Sequence, residues 1–147
     1  RTPRMLEGGQ YSYYFNAALA ALRGVAALQP VDPASLEDSE VLALAGIIEL
    51  VAHDDFVDSF PKGTPCRVIL DQGNGPESLT VLSPLGDVEN PMSWEQVIEK
   101  FHRLSARVIS SDEQSKIVLA VEQIATNGFS PLFKAINVRL RDETFNS

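Results

Sequence analysis

The chain has 147 residues, with 12 basic and 20 acidic side chains and a net charge of −8. Apolar residues make up 44% and charged residues 22%, the balance of a folded globular domain rather than a disordered one. No apolar run reaches the ~20 residues that span a bilayer, and the acidic balance excludes nucleic acid and anionic membrane as partners. A compensating basic patch is lacking: Arg1 and Arg4 stand isolated, and Asp142 and Glu143 match Arg139 and Arg141.

Residues 1–10 are polar and Gly-rich and read as a connector without a signal-peptide pattern. The start at Arg1-Thr2-Pro3-Arg4 leads us to expect a piece of a longer polypeptide, natural or engineered. From Ser12 to about Leu28 the chain is Ala-rich and almost entirely apolar or small, which predicts a helix buried on most sides. Phe15, Leu19, Leu22 and Ala26 fall on one face, and Gly24 is an internal defect costing about 1 kcal/mol relative to Ala. Ser12 is the expected N-cap. With Gln10 and the tyrosines 11, 13 and 14 it stands at a helix start whose amides can face an anion. The competing reading is a plain cap with core tyrosines.

Pro30 ends that helix. Asp32 or Ser35 caps a second one over about Leu36–Ala45, and the β-branched stretch Ile47–His53 predicts a strand. Asp54–Phe60 reads as a single helical turn capped by Asp54, and Pro61-Lys62-Gly63-Thr64-Pro65 breaks the chain. A hairpin follows. Cys66, Val68 and Leu70 alternate with Arg67, Ile69 and Asp71; Leu79 and Val81 alternate with Ser78 and Thr80; the Gly-rich segment 72–76 turns between them.

After Pro84 the pattern becomes helical. Ser93 and Gln96 form a capping-box pair ahead of the stripe Trp94, Val97, Ile98, Phe101 and Leu104. A helix after Ser110 or Ser111 turns Ile117, Val121 and Ile124 inward and ends at Asn127-Gly128. Ser130-Pro131 starts a last helix with the stripe Leu132, Phe133, Ile136 and Leu140. The fold class is therefore α+β: a hairpin-containing portion over residues 1–84, then helices over 85–147 belonging to an all-α layer. This division predicts that the Ser12–Leu28 and Trp94–Leu104 helices do not share one compact core. It also predicts that the second helix leaves apolar surface for self-association or for a missing half.

The chemistry is sparse. His53, Asp54, Asp55 and Asp58 suggest either a carboxylate–imidazole metal site or an acid-capped turn with solvated carboxylates; the turn is the reading adopted. His102, beside Lys100 and Arg103, reads as a solvated surface histidine, and Cys66 as a buried, inert thiol. As the sole cysteine it forms no intrachain disulfide and no cysteine-based zinc site, so the cytoplasm is the expected compartment. Gly8-Gly9 and Gly73-x-Gly75 read as turn chemistry, not phosphate loops. No catalytic residue and no metal ligand set is assigned.

The run Gly86-Asp87-Val88-Glu89-Asn90-Pro91-Met92-Ser93-Trp94-Glu95, continuing to Glu99-Lys100-Phe101, resembles the C-terminal region of the MmgE/PrpD family. There, a hairpin is followed by Gly, a short acidic spacer, Asn-Pro, a small hydroxyl residue and a helix carrying Lys-Phe. Glu7–Ser12 with the Ala-rich helix to Gly24, and Ile47–Pro65 before the hairpin, match in order, so the resemblance covers most of residues 2–125. It implies a lyase or isomerase of the kind that includes 2-methylcitrate dehydratase, cis-aconitate decarboxylase and iminodisuccinate epimerase. Such an enzyme abstracts a proton next to a carboxylate of a small di- or tricarboxylic acid, without a metal or organic cofactor. The implied fold is a large helical domain and a smaller α+β lid with the active site between them, in a homo-oligomer. The family's catalytic Asp, Lys and His residues precede the region represented here, and Phe15 stands where Tyr is frequent. What carries over is a substrate-binding wall of Gln10 and Ser12. The alternative is a non-catalytic remnant serving as a folding or dimerisation module.

Overall fold

The computed structural model describes residues 2–137. A short helix α1 (Leu6–Gln10) leads into α2 (Tyr13–Arg23), followed by a 3-10 turn at Val25–Leu28 and another at Pro33–Glu37. Helix α3 spans Ser39–Ile47. A 3-10 turn at Asp54–Ser59 precedes the strands β1 (Cys66–Asp71) and β2 (Pro76–Val81). Helices α4 (Trp94–Ser105), α5 (Ser111–Glu122), α6 (Ile124–Asn127) and α7 (Ser130–Ile136) follow. The fold class is α+β, as the sequence predicts. Leu140, Arg139 and Arg141 lie outside the described residues.

The contacts divide the described residues into two units: 2–48 with 94–137, and Glu49–Ser93. The change of character expected near Pro84 falls inside the second unit. The first unit holds one buried cluster of Phe15, Ala18, Leu19, Val31, Val41 and Ala45, edged by Leu6, Tyr14, Leu36 and Ile48. Phe15, Leu19 and Val41 are fully removed from solvent, each contributing about 1.5–3 kcal/mol of apolar burial. Gly9 admits this packing: a Cβ there would stand 3.0 Å from Leu36 Cδ2 and 3.4 Å from the Phe15 ring.

The single helix expected over residues 12–28 is interrupted. Gly24 adopts φ +83 and its N–H closes on Ala20 O, so α2 stops at Arg23. Glycine reaches that conformation without the Cβ clash other residues meet, and the defect is in fact the stop. Arg23 Nη2 then grips Asp38 Oδ2 at 2.8 Å, while Asp38 Oδ1 accepts the Glu40 and Val41 N–H groups to cap α3. The expected cap Asp32 is used one turn earlier, on the Ala34 N–H of the 3-10 turn.

Helices α4 and α2 belong to one contact unit, yet α4 contributes nothing to the buried cluster. Polar side chains tie α4 and the turn that follows it to the 29–32 segment: Arg103 Nη2 donates to Gln29 Oε1 at 3.1 Å, and Arg107 Nη2 to Asp32 Oδ2 at 2.9 Å. Helix α5 starts with a complete capping box between Ser110 and Glu113. Helix α7 has Pro131 in its first turn, with Phe129 rather than Ser130 as the residue before it.

The second unit contains the hairpin. Its strands pair antiparallel, Cys66 opposite Val81, Val68 opposite Leu79 and Leu70 opposite Glu77. Among the described residues these two strands are the only sheet. The strand expected over Ile47–His53 is absent there; residues 48–53 carry no assigned element. Ile48 and His53 do adopt extended backbone angles. β-branched residues favour that conformation, but a strand exists only where a second backbone pairs with it.

Candidate functional site

The segment Gln10–Asn16 is built by two short-range bonds at the turn between α1 and α2. Asn16 Nδ2 donates to Gln10 O at 2.8 Å, and the Phe15 N–H donates to Ser12 Oγ at 3.2 Å. Ser12 is thus the N-cap the sequence predicts, with extended backbone angles of φ −92 and ψ 110. The cap uses one acceptor site of the hydroxyl and leaves its O–H able to donate. The Gln10 side chain lies on an exposed residue. The tyrosines divide: Tyr14 packs on the core, whereas Tyr11 and Tyr13 are exposed. Phe15, at the position where a hydroxyl is frequent in the resembled family, is fully buried and offers no polar atom.

The His53 cluster has a different construction from the one expected. His53, not Asp54, caps the 3-10 turn, its Nδ1 accepting the Asp55 N–H at 3.2 Å. A ring nitrogen that accepts from a backbone N–H carries no proton, so neutral His53 is the Nε2–H tautomer. Asp55 turns to Arg67, whose Nη2 donates to its Oδ2 at 3.0 Å. Arg67 also donates from Nε to Thr80 Oγ1 at 3.1 Å and lies 5.2 Å over the Phe56 ring. The arginine's alternation in β1 places it opposite Thr80. This bracket of Arg67, Asp55 and Phe56 had no sequence signal beyond that alternation. Among the described residues, no group of three or more His, Cys, Asp or Glu side chains is arranged to hold a metal ion.

Two further expectations are corrected. Cys66 is exposed rather than buried, because the hairpin face it shares with Val68 and Leu70 has no layer over it among the described residues of its unit. His102 is half-buried against α5 rather than on a solvated face. Its Nδ1 meets Gln114 Oε1 at 2.9 Å, and Gln114 Nε2 donates to His102 O and Ser105 Oγ, both at 2.8 Å. The amide nitrogen must face the carbonyl, so its oxygen faces the ring and His102 Nδ1 carries the proton. Gln114, 4% exposed, is the one polar side chain buried among the described residues. Both its N–H donors and its oxygen find a partner, the condition under which such burial is tolerated.

Two carboxylates in the first unit sit below the usual aspartate range. Arg23 and then the Val41 N–H hold Asp38 down, and the Ala34 N–H and then Arg107 hold Asp32 down. Glu40 and Asp38 push the Arg23 guanidinium up. These are structural ion pairs; His53 Nδ1 also lies 3.5 Å from Asp55 Oδ2, with both side chains about half exposed. An open groove of about 360 Å³ between α5 and α7 is lined by Lys116, Leu119, Ala120, Pro131 and Lys134, and includes neither Gln10 nor Ser12. No helix among the described residues is long and apolar enough to cross a membrane.

These elements define an α+β module: a capped helix start and small buried core, a hairpin unit, and the helices α4–α7. The chain belongs to the MmgE/PrpD family, since the family model described as the MmgE/PrpD C-terminal domain matches residues 1–126. The match ends within α6, before α7. No curated protein and no solved structure matches the chain.

Proposed function

We propose that this chain is the C-terminal portion of a lyase or isomerase that acts on a small di- or tricarboxylic acid by removing a proton next to a carboxylate, in the manner of 2-methylcitrate dehydratase. The family match over residues 1–126 carries this reading. On it, Gln10 and Ser12 form one wall of the substrate site. The Ser12 O–H donates to a substrate carboxylate while its lone pair keeps the Phe15 N–H, and the start of α2 adds favourable potential for the anion. The acid–base groups come from the part of the family fold that precedes this chain, the N-terminal helical domain and the start of the lid, and no metal or organic cofactor takes part. The hairpin belongs to the lid, and the helices after residue 93 return to the helical domain. Exposed apolar residues along α4 (Trp94, Val97 and Leu104) support that docking. The assembly is a cytoplasmic homo-oligomer.

A second reading, a folding or dimerisation module without catalysis, draws on the ion pairs above, which engage the acidic residues structurally. The test is turnover of 2-methylcitrate and cis-aconitate by the chain alone and by the chain co-purified with the preceding portion of a family enzyme, its helical domain together with the start of the lid. The expected result is none alone and turnover in the complex. Correctly placed proton transfer typically supplies ~10²–10⁴-fold, and positioning adds more. In the complex, Ser12→Ala and Gln10→Ala should raise KM more than they lower kcat. Tight association without turnover favours the module, and turnover by the lone chain overturns the proposal.

A further inference from the structure

We draw no further inference here: the strongest candidate, the open apolar face of the hairpin formed by Val68, Leu70, Leu79 and Val81 in a unit with no buried residue, carries nothing because nothing in the structure shows what covers it.

Discussion

Residues 2–48 and residues 49–93 are of nearly equal length, yet they solve burial in opposite ways. The first segment gathers Phe15, Leu19, Val31 and Val41 into one cluster that excludes solvent. In the second, no residue is buried; Val68, Ile69 and Leu79 are each at least 62% exposed. The sequences differ in apolar content, 26 of 47 residues against 16 of 45, and also in period. Helical spacing brings Phe15, Ala18 and Leu19 together on one face of one element, where a second helix covers them. Alternation in a two-stranded hairpin lines up Val68, Leu70, Leu79 and Val81 just as well, but a hairpin cannot cover its own face and is marginal alone. A regular apolar pattern therefore shows which face is to be buried, not that this chain buries it.

The strongest challenge to this contrast is truncation of the core. Phe15→Ala should cost about 3–5 kcal/mol in denaturant unfolding, through lost transfer energy plus a cavity. Leu79→Ser on the hairpin should stay within about 0.5 kcal/mol, as surface changes do. Equal losses would show that the hairpin face is covered in solution and would end the comparison.

Gln114→Ala should cost about 1–3 kcal/mol, since the His102 carbonyl and the Nδ1–H lose their partners. Nitrogen chemical shifts sharpen the same point. Neutral His102 should report Nδ1–H and neutral His53 Nε2–H, opposite tautomers set by an amide in one unit and a backbone N–H in the other. The same tautomer at both positions would refute the bonding described for one of them.

At Gly9, two terms compete. Ala gains about 1 kcal/mol of helix propensity over Gly, against a 3.0 Å approach to the flexible end of Leu36. Gly9→Ala should therefore be close to neutral. Gly9→Val adds two methyl groups where one carbon already crowds the site, so it should destabilise by about 1–3 kcal/mol. A neutral valine would show that α1 is not packed on Phe15.

The smallest effect is on acid stability. Asp32 and Asp38 have folded-state pKa values below the ordinary 3.8. In acid the unfolded chain therefore binds more protons than the folded one, and stability falls with falling pH. The contribution is complete above the unfolded value and is lost as pH drops through the lowered folded values, in the region below 3.8. Asp32→Asn with Asp38→Asn should flatten that limb and leave the hairpin unit unchanged. An unaltered acid limb would mean that the two ion pairs do not persist in solution.

Much of this was legible in the sequence because it is local. The Ser12 cap, the helix start at Ser110, the hairpin with its glycine turn and the stop at Gly128 each depend on residues within a few positions of one another. The ordered series from Glu7 to Phe101 was enough to point to the family. Tertiary structure alone decided that Gly24 ends α2 rather than weakening it, and that His53 replaces Asp54 as a cap. It also brought Gln114 under His102, Arg107 onto Asp32 from 75 positions away, and Arg67 onto Asp55. Strand expectation failed at residues 48–53 for the same reason. Extended angles are a property of one residue, whereas pairing, burial and ion-pair geometry are properties of two segments, and the separation between them in sequence does not specify how they meet in space.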